Sequence, residues 1–260
     1  MRNLLKADLF RVLRTKIVYI SMIVAVVLPI FMAGVFLLSG TADLEEIEIV
    51  KLFYGNMLFT GTFSSLLSFS YVFAIFPVIV IMMDFGNGTI RNKIIHGYTR
   101  HQIFAAHFII SWIYVFVLTV LYASTMTACA CLILKVGEFD VASCVYYFVI
   151  GLVGTLISAS IGCSMALSFA NAGSILLTVV GRLLFDNLNL IVLLIFNANG
   201  MADSQVAKHV LSFFPCYVTG QLGSTIIEPV MFVEALCGIL ILSGAFYALG
   251  TFVFNKRDFK

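Results

Sequence analysis

Charge is what this chain lacks most. Asp, Glu, Lys and Arg together make up 11% of its 260 residues, whereas soluble domains carry about a quarter. Too few polar groups remain to clothe a water-facing surface, and a soluble fold is excluded. The signatures of soluble catalysis are missing as well. There is no G-x-x-x-x-G-K-[ST], no G-x-S-x-G, no H-E-x-x-H and no C-x-x-C, so the chain has no Walker loop for ATP, no serine nucleophile elbow, no zinc-bearing helix and no redox dithiol. His96, His101, His107 and His209 fall at no ligand spacing, so no metal site is expected. Cys129, Cys131, Cys144, Cys163, Cys216 and Cys237 lie mostly inside apolar runs and read as small packing residues, with Cys131 and Cys144 the one pair able to approach at span ends. Tryptophan occurs once, which leaves no sugar-stacking platform, and the net charge of +2 gives no reason to expect nucleic acid.

Long apolar runs are present in abundance. Stretches of at least the roughly 20 residues needed to cross a bilayer fall at Ile17 to Leu38, Thr62 to Met83, Ile103 to Leu134, Val141 to Ala170, Gly173 to Phe196 and Val230 to Phe254. These runs are continuously apolar, not alternating, which disfavours a β-barrel. The expected fold is an all-α integral membrane protein of six transmembrane helices. The first run is too long for a cleaved signal peptide, although Gly40-Thr41-Ala42 resembles a cleavage site.

Orientation follows from the basic residues. Eleven of the fifteen lie in the N-terminal tail (Arg2, Lys6, Arg11, Arg14, Lys16), the second loop (Arg91, Lys93, Arg100) and the C-terminal tail (Lys256, Arg257, Lys260), all on one side of a six-span layout. That side is expected to be cytoplasmic, at the cell membrane, with both termini on it.

Residues 1–16 read as an amphipathic interfacial helix, with Leu5, Leu9, Val12 and Leu13 on one stripe, Arg11 and Arg14 opposite, and Leu4 and Phe10 off the stripe. The alternative is a basic tail that only fixes topology. Residues 17–254 form the transmembrane domain and 255–260 a cytoplasmic tail. Small residues recur every four positions along the fourth span, at Gly154, Ser158, Gly162, Ala166 and Ala170, and predict a helix packed inside the bundle. Pro29 and Pro77 predict local bends in the first two spans. Between the last two spans, 197–229 is expected to be an extracellular loop. It would carry a short helix capped by Asp203 and running through Phe214, with Val206, Val210, Leu211, Phe213 and Phe214 as its apolar patch, dipping into the outer leaflet or packed on the bundle.

Two polar features stand out. In the fifth span Ser174, Thr178, Arg182, Asp186 and Asn189 recur at intervals of three or four, forming one polar stripe at membrane depth. Such a stripe can line a translocation cavity, form a dimer seam, or glue helices through an i, i+4 Arg182–Asp186 pair. The loop 84–102 holds Gly86, Gly88 and Gly97 around Thr89 to His96, a stretch of about two helical turns, and Thr99-Arg100-His101-Gln102 is a capping box opening the third span. A short basic helix slung between two spans can dock in a partner's groove; by composition alone a charged loop that only fixes topology is the stronger reading.

Asp84-x-x-x-Gly88-Thr89-Ile90-Arg91-Asn92, followed by Gly97-Tyr98-Thr99-Arg100-His101-Gln102-Ile103, resembles the acidic-x-x-x-G-T-hydrophobic-[RK]-N … G-x-[ST]-R-x-Q-hydrophobic pattern of ATP-binding-cassette type-2 (ABC-2) permeases. The similarity extends over the six spans, the basic surface helix and the outer helix running into Pro215. Asp84 stands where that family often has Glu, and His107 where Lys is common. The resemblance implies the membrane half of an exporter in a short six-span form, with no enzyme site and no cofactor of its own, ATP and Mg being held by separate ATPase subunits. A second copy or a related chain would complete the pathway. ATPase coupling would run through Thr89, Ile90, Arg91, Asn92, Lys93, Ile94 and Ile95 and the N-terminal helix. A pathway of Phe, Met, Leu and a few hydroxyls suits an amphipathic or lipid-like cargo better than a small hydrophilic solute, and the resemblance to short six-span members implies a cytolytic or antimicrobial peptide, ahead of a hydrophobic drug. An intramembrane enzyme resting on Arg182 and Asp186, a passive channel or a scaffold would each work without an ATPase.

Overall fold

The computed structural model describes residues 1–38, 70–133, 141–200, 204–214, 217 and 229–257, and every regular element among them is helical. In chain order these are α1 (Arg2–Leu13), α2 (Lys16–Leu38), α3 (Ser70–Gly86), α4 (Thr89–Ile95), α5 (Arg100–Ile133), α6 (Val141–Phe169), α7 (Gly173–Ala198), α8 (Gln205–Ser212) and α9 (Pro229–Lys256). Helices prevail because a bilayer offers backbone amides no partner, so each segment must satisfy its own. Polar side chains follow the same rule: Thr119 donates to the Val115 carbonyl at 2.7 Å and Thr178 to that of Ser174 at 2.7 Å.

Four helices, α5, α6, α7 and α9, are each long and apolar enough to cross a membrane, and the number rises to six when α2 and α3 are counted with the short helices bent from their ends. The fold is an all-α membrane bundle. Its flank is apolar where a soluble protein's would be polar: Ile23 and Phe31 on α2, Phe116 on α5, Leu184 and Leu194 on α7 and Ile241 on α9 are all exposed. Both α2 and α3 remain helical through Pro29 and Pro77.

At the centre stands α6, packed by α5, α7 and α9, as its small-residue rows predict. A Cβ on Gly162 would lie 3.0 Å from Val78, 3.2 Å from Thr178 and 3.3 Å from the Ala74 carbonyl, so α3, α6 and α7 meet where a side chain is missing. Hydroxyls add directional contacts: Ser70 and Ser158 are 2.6 Å apart, and the Trp112 indole donates to Ser160 at 2.9 Å. Cys129, Cys163 and Cys237 are free thiols; the side chains of Cys131 and Cys144 lie outside the described residues.

One end of the bundle gathers the charge. Arg100, opening α5, donates to the carbonyls of Asn255 at 2.5 Å and Arg257 at 2.8 Å, satisfying the end of α9. Arg257 in turn donates to the carbonyls of Leu167 at 3.3 Å and Ser168 at 3.2 Å at the end of α6, and its guanidinium lies over Phe85 at 5.0 Å. α1 and α4 lie at this end; α8 lies at the other, against α7 and α9.

The short outer helix differs from expectation. It spans Gln205–Ser212 and its N-cap is Ser204, whose hydroxyl accepts from the Ala207 amide at 3.1 Å. Asp203, the expected cap, and Pro215 lie outside the described residues, and the helix ends before Phe214. The serine wins because its hydroxyl stands at the N-cap, three residues before that free amide. Only part of the expected apolar patch turns inward: Leu211 is buried and Phe214 packs on the α6–α9 core, while Val206, Val210 and Phe213 are exposed. At Gly238 a Cβ would collide with the Phe213 carbonyl. Gly238→Val is therefore expected to expel the end of α8 and destabilise the chain by about 1–3 kcal/mol, measurable as faster proteolysis between α7 and α9 and a lower unfolding temperature.

Candidate functional site

Asp84 is buried near the end of α3, where the chain turns by 62° into α4. Two glycines make that excursion possible: Gly88 at φ 68° precedes α4 and Gly97 at φ 86° follows it, both in the left-handed region that costs a residue with a Cβ. Beyond Gly97 the expected capping box forms reciprocally. The Gln102 amide donates to the Thr99 hydroxyl at 3.3 Å, and the Thr99 amide donates to the Gln102 side chain at 3.1 Å.

The seven residues of α4 divide by face. Ile90 and Lys93 point inward and are buried, Thr89 and Ile94 are half-buried, and Arg91, Asn92 and Ile95 point outward. Ile95 is 70% exposed, a large apolar side chain at the tip of the charged end.

Beneath α4 lies a buried ionic cluster drawn from four helices. Lys93 donates to Asp8 of α1, with Nζ 2.7 Å from Oδ1 and 2.8 Å from Oδ2. Arg11 of α1 grips both carboxylate oxygens of Asp84 and stands 3.4 Å from Asp8. His107 of α5, also buried, places Nε2 3.2 Å from Lys93 Nζ and 3.7 Å from Asp84. A lysine only donates, so His107 Nε2 accepts and its proton sits on Nδ1. Two acids then face two bases and the formal charges cancel. Burial pulls the Lys93 ammonium below its ordinary value, and the Asp8 carboxylate pushes it back up. Losing either partner would strand a charge out of water, which makes the cluster a rigid clamp between α1, α3, α4 and α5.

Asp8 is the residue that sequence reasoning passed over, and α1 is turned differently from the expected stripe. The buried face is Leu4, Asp8 and Val12, with Leu5 half-buried, while Leu9 and Leu13 are exposed. Leu4, expected off the stripe, is 3% exposed, and Arg11, expected on the outer polar face, reaches inward to Asp84. The signal was available: Asp8 is the only acid in an otherwise basic tail and sits four residues from both Leu4 and Val12, a position that is inside only if its charge is met.

Along α7 the polar stripe is sorted more plainly. Ser174, Thr178 and Arg182 are fully buried, facing the bundle, while Leu176, Val180, Leu183 and Leu184 face outward. The Arg182 guanidinium lies 5.5 Å from the Phe185 ring centroid. The side chains of Asp186 and Asn189 lie outside the described residues.

An apolar flank of membrane-length helices, with charge drawn to one end, defines a multi-pass integral membrane protein. Residues 4–185 match the family model of the ABC-2 family transporter proteins, which is well over half of the chain, and the chain belongs to that family. It is thus a membrane component of an ABC transporter, and membership implies ABC ATPase subunits as partners. A comparison with curated proteins gave no match.

Proposed function

We propose that the chain is the permease of an ATP-driven exporter in the cell membrane, with both termini and α4 on the cytoplasmic side and ATP and Mg held on separate ATPase subunits. The observation that carries this reading is α4 itself: a helix with Arg91, Asn92 and Ile95 turned outward, bonded on its inner face to α1 and α5 and through Arg11 of α1 to α3. A groove on an ATPase subunit that takes Ile95 as an apolar knob, with an acidic rim for Arg91, would move α4. The clamp would pass that movement to α3 and α5. Two copies, or this chain with a related one, complete the pathway. The cargo is an amphipathic peptide, with a hydrophobic drug as the second choice; the abundance of Phe, Met and Leu over charged residues in the spans supports this reading.

Co-expression with an ATPase subunit tests it. Ile95→Asp with Arg91→Glu is expected to abolish co-purification of the ATPase and at least tenfold of the cargo-stimulated hydrolysis in lipid, while the permease alone keeps its unfolding temperature, since both side chains are exposed. Retention of the ATPase by this double variant would remove α4 from the docking role.

A further inference from the structure

We propose that α1 senses membrane charge: its outward face binds the headgroups of acidic phospholipids, the Asp8–Lys93 pair carries that engagement into α4, and the Arg11–Asp84 pair carries it into the end of α3.

The two faces of α1 have different chemistry. Inward lie Leu4, Asp8 and Val12. Outward, Arg2, Lys6 and Arg14 are exposed, as is Lys16 just beyond the helix, and none of the four has an ion-pair partner among the described residues. The only acid in the segment, Asp8, is already engaged by Lys93. Two of these cations stand on α1, Arg14 caps it and Lys16 follows two residues on, and among the described residues no acid is paired with any of the four.

Apolar surface beside those cations points to lipid as the source of that charge. Leu5, Leu9 and Leu13 follow each other at spacing four; Leu5 packs on the core shared by α2 and α5, and Leu9 and Leu13 are 38% and 49% exposed. Tyr19, Ile20 and Ile23 at the start of α2 are exposed as well, on the bundle's apolar flank. α1 leaves α2 at 67°, so with α2 crossing the bilayer, α1 runs closer to the membrane plane than to its normal. Leucines on the side of the hydrocarbon and lysines and arginines at headgroup level are the composition of a helix that binds an anionic interface. Arg14 stacked over the exposed Phe10 at 4.1 Å fits the same depth.

The route inward is short. Asp8 and Arg11, on the same helix as the outward cations, bind Lys93 and Asp84, so a tilt or roll of α1 displaces α4 and the end of α3 unless those pairs break. The binding step rests only on the membrane placement of the chain; the importance of α4 rests on the proposed function, and the test leaves the ATPase out so that the two stand or fall separately.

Hydrogen–deuterium exchange of the full-length permease alone would be followed in nanodiscs of phosphatidylcholine and of phosphatidylcholine with added phosphatidylglycerol. The acidic lipid is expected to slow exchange several-fold in both α1 and α4. Raising the salt to about 1 M, where the screening length falls to about 3 Å, should erase the difference, as should R2Q/K6Q/R14Q/K16Q. Asp8→Leu/Lys93→Met, which removes both charges of the buried pair, should keep the response of α1 and lose that of α4. The salt arm reads the same quantity without mutation, which covers the chance that losing four basic residues alters insertion. Equal exchange in the two lipids, or a difference that survives high salt, overturns the proposal. So does protection of α1 that appears only when an ATPase subunit is added, which would turn the cations toward a protein. A response of α1 with none in α4 overturns the transmission step.

Discussion

Replacing Asp8 by leucine is expected to destabilise the permease by about 3–5 kcal/mol, because the Lys93 ammonium is left buried with its counter-ion gone. The double variant Asp8→Leu/Lys93→Met removes both charges and fills the same space, and most of the loss should return, since well-packed apolar replacements of a buried pair are often neutral or better. Stability and coupling should then part company. The repaired variant folds but lacks the bond that ties α1 to α4, and ATPase activity in the complex should no longer respond to cargo. Unfolding temperatures of the two variants, set beside hydrolysis with and without a cytolytic peptide, give both readouts. A double variant as unstable as Asp8→Leu would mean that the cluster is not a closed pair, and one that remains fully coupled would mean that α1 is not part of the relay.

Arg182→Leu should have the second largest effect. Arg182 has no exposed surface, and at residue 182 of a helix running from 173 to 198 it lies well inside the span. The sequence places Asp186 one turn on, an acid in the middle of a span costs about 2.5–3.5 kcal/mol, and removing the cation at i−4 is expected to bring a loss of that order. Asp186→Leu on the same background should restore insertion and stability. Transport by the repaired pair then separates the roles left open by the spacing. Full activity means that the stripe holds α7 to the bundle; a stable but inactive permease means that the charges meet the cargo or the second copy. Complete burial of Ser174, Thr178 and Arg182 favours the holding role in this conformation. A pathway role would require α7 to part from α6, and Gly181, whose added Cβ would stand 3.3 Å from Ile161, shows how closely the two are joined.

A third comparison separates the two halves of the cluster. Asp84→Asn keeps the shape but weakens the grip of Arg11, which is 31% exposed and can turn to water. A smaller loss than for Asp8→Leu is expected, about 1–2 kcal/mol, with α4 still held through Lys93. The same unfolding measurement ranks the two variants, and the reverse order would place the main anchor of α1 at Arg11.

Much of this protein was legible in one dimension because the bilayer reduces the problem to length and hydropathy. Long, continuously apolar runs read as helices, small residues at every fourth position of the fourth span read as an interior helix, and Gly88 and Gly97 marked the ends of α4 and the Thr99–Gln102 box the start of α5 through local geometry that needs no distant partner. What the sequence could not state is which polar residue meets which. Asp8 and Lys93 are 85 positions apart and Arg11 and Asp84 are 73 apart, so pairing depends on how α1 folds back along the end of the bundle. Periodicity led to the leucine stripe for the same reason: it ranks faces by apolarity, whereas the face that is buried was settled by two carboxylates finding two cations. Spans, sidedness of charge and the short helix of the loop were thus determined by the sequence itself, through hydropathy and turn chemistry. The clamp that joins that helix to α1, and the inward turn of Asp8, were decided only by tertiary structure, because a charge is stable in the interior only where packing brings its opposite to it.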